Sequence, residues 1–352
     1  MKTKWLVSSV VLLCVLCVNA QECETLEHPL SITFSGFVQK TLPGKFSVSP
    51  TKQVTFSQGN LMYQPSDCVW AFHENQYDCI GSAGGNIIKG DYNRSISTEW
   101  IDLFAFGTSG YNAGQAKYQP WIATGDDADY KHSGHDGTYD FNEGGSCYGW
   151  YSDHAEPTLD ISKTESDWGW HNRIVNGGNA VHTWRLLNNE EWSYLLGGRT
   201  GAANKKSFAK IDEIRGLVLL PDAFVFPDSY PESSWKVECS SFEDESKINV
   251  FTLAQWADME SKGAVFLPCA GGFADKYPTS FTENRNGSYW SSIYFNVDYY
   301  TCSCYGGSER CVKDHNSNGV SCLKFGVSTV VGITNFASLS AARSVRVVKD
   351  CE

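Results

Sequence analysis

From Phe46 onward the chain alternates apolar and polar residues with a period of two, in short runs separated by turn residues. Phe46 and Val48, Val54 and Phe56, Leu61 and Tyr63, and Val69 and Ala71 each place apolar side chains on one side of an extended backbone. The pattern returns in the C-terminal third, over 289–293, 294–300, 323–331 and 344–348. A chain patterned in this way builds antiparallel sheet. Its 32 Gly against three Met fit a turn-rich β fold and not a helical bundle.

Only two helices are well signalled. The first covers 190–196. Asn188 stands at its N-cap with Glu191 three residues on, Trp192, Leu195 and Leu196 share a face, and Gly197-Gly198 stops it. The second covers 253–261. Thr252 and Gln255 form a capping box, Leu253, Trp256 and Ala257 share a face, and Gly263 ends it. Short apolar strands follow at 217–220 and 264–267. Two short helices among many strands define the α+β class. The expected organisation is a leader over 1–20, a short polar segment over 21–44, and one domain over 45–350. Residues 112–168, rich in Gly, Asp, Tyr and His with little periodicity, read as a loop-rich insertion.

The first residues, Met1-Lys2-Thr3-Lys4, precede an apolar run over 5–18 that closes on Val18-Asn19-Ala20. A charged start, a short apolar segment and small residues at the end predict a secretory signal peptide. The run is shorter than the roughly 20 residues of a membrane helix. The expectation is a secreted or cell-surface protein that does not span a membrane. With 28 Lys and Arg against 40 Asp and Glu, the formal charge is −12. That balance excludes a nonspecific nucleic-acid binder, which needs clustered cations.

Two of the 13 cysteines, Cys14 and Cys17, fall in the leader, which leaves 11. Export makes disulfides the default, and an odd number leaves at least one thiol free or paired between chains, with Cys23 or Cys351 as terminal candidates. Cys68 and Cys79 flank a hairpin-like stretch and could pair locally. Cys302, Cys304, Cys311 and Cys322 are spaced C-x-C-x6-C-x10-C, which lacks the paired clips of a zinc site and favours disulfides. Connectivity does not follow from spacing.

Three segments carry a family resemblance. Trp184-Arg185-Leu186-Leu187-Asn188-Asn189-Glu190-Glu191-Trp192 resembles the helix entry of formylglycine-generating-enzyme-like and related C-type-lectin-like folds. Gly287-Ser288-Tyr289-Trp290-Ser291-Ser292 resembles a strand of that superfamily, and Arg343-Ser344-Val345-Arg346-Val347-Val348 its closing strand. The flanks are similar to secreted Bacteroidetes proteins of the Fibrobacter major-paralogous-domain type. The resemblance implies an exported C-type-lectin-like α+β domain in a family of surface or secreted binding proteins. The calcium motifs of sugar-binding C-type lectins are absent, and Cys302 and Cys304 lack the flanking residues of the enzymes' copper site.

Chemistry-bearing motifs are few. His132 and His135 lie among Asp126, Asp127, Asp129 and Asp136, an acidic loop that reads as solvated and whose carboxylates would take calcium if any ion. No nucleophile elbow and no phosphate loop is present. The acids Glu190 and Glu191 read as complements to a helix dipole. Arg343 and Arg346 read as structural partners of acids, with an anionic ligand as the alternative.

The richest binding candidate is the run 289–305. Tyr294, Asn296, Asp298 and Tyr300 would share one strand face, mixing rigid rings with short hydrogen-bonding groups. The opposite face would carry Ile293, Phe295, Val297 and Tyr299, and ordinary cross-strand aromatic pairing explains the same pattern. Trp184, Trp192, Trp256 and Trp290 read as core. The expected function is a non-catalytic, adhesin-like protein that recognises a protein or glycan through Tyr294, Asn296, Asp298 and Tyr300. A structural cell-envelope or fimbrial component is the alternative, followed by a copper-dependent or hydrolytic enzyme.

Overall fold

The computed structural model describes residues 41–64, 67, 69–81, 100–104, 106–109, 150–151, 157–237, 242, 244–274, 277–278, 284–305, 308–327, 329–337 and 341–352. Strands β1 (Phe46–Ser47) and β2 (Gln53–Phe56) form an antiparallel pair, and β3 (Leu61–Gln64) with β4 (Val69–Phe72) form a hairpin. Next come β5 (Trp150–Tyr151), β6 (Pro157–Asp160) and the one-turn helix α1 (Trp168–His171). Helix α2 (Asn189–Ser193) runs on into a π-helical turn over Tyr194–Gly198. Then follow β7 (Lys206–Ile211), β8 (Ile214–Leu219), β9 (Asn249–Phe251), helix α3 (Leu253–Ser261) and β10 (Val265–Pro268). The small pair β11 (Phe273–Ala274) and β12 (Tyr277–Pro278) leads to β13 (Asn286–Tyr305), β14 (Ser308–Gly326), β15 (Thr329–Ala337) and β16 (Val348–Asp350). The architecture is α+β with mostly antiparallel strands. The parallel β7–β9 pair is an exception.

The inner part of the β13–β14 hairpin divides two cores, because alternate residues of a strand face opposite ways. Trp290, Tyr294, Val320 and Cys322 join Tyr63, Trp70, Phe104 and Trp168 on one side. Tyr289, Leu323 and Phe325 join Phe46, Phe56, Trp192 and Leu217 on the other. Sheet β10-β8-β7-β9 repeats the device one layer out. Phe208, Leu217 and Leu219 face the second core, while Ala209, Ile211 and Val218 face a third that α3 closes with Trp256 and Met259.

Both capping boxes form as the residues predict. The Asn188 side chain accepts the Glu191 N–H, the Thr252 hydroxyl accepts the Gln255 N–H, and each partner side chain returns the bond. Helix α3 covers 253–261 as expected, while the helix expected over 190–196 changes from α to π at Tyr194. Strands expected separately over 289–293 and 294–300 are one strand, with a register shift between Trp290 and Tyr294. The stretch 323–331 is broken by a turn at Val327, and of 344–348 only Val348 enters a strand, β16. Described parts of 112–168 hold β5, β6 and the start of α1.

Candidate functional site

Trp184 is half-buried and reaches the surface, in contrast to Trp192, Trp256 and Trp290, which are enclosed as expected. Its position follows from the strand pairing beside it. Arg185 and Val348 exchange backbone hydrogen bonds of 2.8 Å, which locks the 183–186 segment to β16. The indole Nε1–H donates to the Gly177 carbonyl at 2.8 Å, and the Phe72 ring meets the indole edge-on at 5.2 Å and 81°. A Cβ on Gly177 would lie 2.7 Å from Phe72 and 2.9 Å from the indole nitrogen, so only glycine fits. Gly178 next to it has φ +97°, a left-handed conformation that glycine adopts without penalty. Asn176 fixes the start of this turn by pairing its amide with both the N–H and the C=O of Phe72, each at 2.8 Å.

This rigid indole forms one wall of an open groove of about 670 Å³. Thr55 and Phe56 of β2, Lys349 and Asp350 of β16, Lys45 and Cys351 complete much of the lining. The hydroxyls of Thr41 and Thr55 and the ammonium groups of Lys45 and Lys349 have no hydrogen-bonding or ion-pair partner among the described residues. They are free to meet a ligand. Cys351 is a half-buried thiol whose pKa is raised by burial and partly restored by Lys45.

The floor beside the groove is a charge network. Arg185, 3% exposed, grips Glu191 at 2.7 and 2.9 Å and Asp350 at 2.9 and 2.6 Å. Lys52 reaches Glu191 at 2.9 Å, and Lys163 reaches Asp350 at 2.7 Å. Burial alone would raise the Asp350 pKa, but hydrogen bonds from Arg185 and Lys163 outweigh it and hold the group at about 2. Glu191 is lowered for the same reason: burial is outweighed by Arg185. Asp167, the N-cap of α1, is the contrasting case. It accepts the N–H groups of Lys163, Gly169 and Leu186 at 3.0–3.1 Å, yet full burial pushes it up to about 7.

Other polar clusters are structural. Buried Asp102 accepts the N–H groups of Ile80 and Gly81 at 2.7 and 3.0 Å and lies 3.1 Å from His73 Nε2, which ties the 73–81 loop to the 101–104 segment. Arg343 stacks on Trp290 at 5.1 Å and donates to the Ser288 hydroxyl. Arg346 is fully buried, donates to Gln76 at 2.8 Å, and is pushed down by burial to about 10. Arg346 thus reaches an acid only through Gln76. Gln76 stands between Arg346 and Glu260, bonding to Glu260 at 3.0 Å. No group of three or more metal-ligating side chains occurs among the described residues.

Of the four expected binding residues, Tyr294 is 5% exposed in the core around Trp168 and Trp290. Asn296, Asp298 and Tyr300 stand further along β13, opposite Asn318, Asn316 and Lys313. Their side chains lie outside the described residues, as do the whole acidic loop around Asp126 and Asp136, and Cys23 and Cys68. Cys269 and Cys322 are buried thiols. The sequence does not show the groove, because Trp184 sits in a motif that reads as core. The turn signal Asn176-Gly177-Gly178-Asn179, eight residues before Trp184, was the available clue.

The chain matches no protein-family model, no curated protein and no solved structure. Among the described residues, no helix is long and apolar enough to cross a membrane.

Proposed function

We propose that the protein is an exported, non-catalytic binding module of C-type-lectin-like type, and that its ligand is a glycan held in the Trp184 groove. The observation that carries this reading is the fixed indole in the wall of an open groove that also presents hydroxyl and ammonium groups unpaired among the described residues. An aromatic ring immobilised before binding loses little entropy when a ligand stacks on it. Sugar rings present apolar C–H faces that suit an indole and hydroxyls that suit Thr41, Thr55, Lys45 and Lys349. The groove volume falls in the range of small-molecule sites, roughly 300–1,000 Å³. The charge network beneath it is internally satisfied and serves as scaffold. The reading keeps the binding function expected from sequence and moves its centre from Tyr294 to Trp184.

The test is a glycan-array screen followed by titration of the hits with tryptophan emission as signal. Trp184→Ala should bind at least about tenfold more weakly, a change of about 1.4 kcal/mol. Equal binding by mutant and wild type removes the groove from the proposal, and an array without hits removes the ligand class.

A further inference from the structure

The register of the β13–β14 ribbon brings two particular cysteines together. From Tyr300↔Lys313 to Tyr305↔Ser308 the antiparallel pairing is unbroken, and within it Cys302 stands directly opposite Cys311. Only Gly306 and Gly307 separate the two strands, and Gly-Gly is a residue pair that a two-residue hairpin turn favours. Loop length is one of the determinants of a hairpin's register. Directly opposed residues of an antiparallel pair have Cα atoms about 4.5 or 5.5 Å apart. A disulfide requires Cα atoms roughly 4.4–6.8 Å apart, and both spacings fall within that range.

We propose that Cys302 and Cys311 form a disulfide that staples the outer part of this ribbon. The competing thiols are placed less well. Cys304 stands opposite Glu309, one diagonal step from Cys311, where separations run to about 7–8 Å. Cys322 stands opposite Trp290 in the core and is fully buried, 3.9 Å from the Ser288 hydroxyl. It lies eleven residues along β14 from Cys311, roughly 35 Å at the rise of a strand. The same separation takes Cys322 out of any four-cysteine metal set with Cys302, Cys304 and Cys311.

The staple has a mechanical reason. The hairpin's described core residues end at Tyr294 on β13 and begin at Gly319 on β14. Beyond them β13 is held by its ladders with β14 and, at Tyr300 and Thr301, with β5, and ladder hydrogen bonds by themselves specify register weakly. Asp314 adds to the hazard, because it is the extra residue where the pairing shifts between Tyr299 and Tyr300. A covalent link beyond that bulge fixes the frame in which Asn296, Asp298 and Tyr300 sit.

The bond forms by exchange with a protein disulfide of the thiol–disulfide oxidoreductase class. One thiolate attacks the oxidant's disulfide to give a mixed disulfide, and the second thiolate displaces the oxidant's sulfur. Two protons leave the protein thiols, and the oxidant is reduced by two electrons to its dithiol.

The test is peptide mapping of the full chain recovered from an oxidising secretory compartment and alkylated without reduction. Trypsin cuts after Arg285, Arg310 and Lys313, so the expected product is peptide 286–310 joined to peptide 311–313, separating on reduction. Fragmentation of the joined pair should place the link at Cys302. Cys304→Ser should keep it and Cys302→Ser should lose it. Alkylated Cys302 and Cys311, or Cys311 joined to any other cysteine, overturns the proposal. The wild-type map gives the answer even if a variant fails to fold.

Discussion

The Arg185 guanidinium and the Glu191 carboxylate meet as two parallel hydrogen bonds of 2.7 and 2.9 Å, both groups almost wholly buried. Glu191 also closes the capping box of α2, so one carboxylate holds a helix start and a buried cation. Its loss leaves Arg185 with Asp350 as its remaining acid, and an uncompensated buried charge costs about 3–5 kcal/mol. Glu191→Gln should therefore lower stability by about 3 kcal/mol, read as a shift in the urea midpoint with an unchanged slope. Glu190→Gln, at the exposed neighbour, should stay within about 0.5 kcal/mol of wild type.

Gly177 and Gly178 separate steric from conformational demand. A Cβ at Gly177 meets Phe72 and the Trp184 nitrogen, whereas one at Gly178 meets nothing within 4 Å but sits at φ +97°. Gly178→Ala should cost on the order of 1 kcal/mol and leave the tryptophan emission unchanged. Gly177→Ala should displace the indole, cost roughly 1–3 kcal/mol by overpacking, and shift the emission. Fluorescence spectra of the folded variants at equal concentration check both outcomes.

The two capping boxes should differ in strength. Thr252 is exposed and caps only the start of α3, while Gln255 is half-buried and also donates to the Ser229 carbonyl at 3.1 Å. Asn188 positions Glu191, which in turn holds Arg185 and Lys52. Thr252→Ala should cost about 1 kcal/mol, the usual value for a cap. Asn188→Ala should reach the upper end, about 2 kcal/mol, because the carboxylate loses its anchor. Paired denaturation curves decide the order.

These caps were legible in the sequence because capping is local: four residues determine it. The strands were legible for the same reason, since alternation is read off one segment. What alternation does not reveal is which face is covered. Tyr294 alternates with Ile293, yet both are buried, and the neighbouring Tyr289 and Trp290 face different cores. The three-residue β9 was missed because its parallel pairing with β7 joins residues about forty positions apart. The groove was missed because the half-burial of Trp184 depends on Gly177, Phe72 and β16, which meet only in three dimensions.

Asp167 and Asp350 act on stability at opposite ends of the pH scale. Asp350 is held at about 2, below its unfolded value of 3.8. A lowered carboxylate adds stability that is complete above the unfolded value and is lost as pH falls through 2. Asp167 is raised from 3.8 to about 7. The folded state then binds a proton that the unfolded state has released, so stability falls as pH rises from about 4 to about 7. The difference of roughly three units corresponds to at most about 4 kcal/mol. Asp167→Asn keeps an acceptor for the α1 cap and removes the titration. Urea midpoints of the wild type should decline between pH 5 and 7.5, and those of Asp167→Asn should stay nearly level over that interval. A wild-type curve that is flat there would mean that the three backbone donors hold Asp167 ionised, and would remove it as the origin of the pH response.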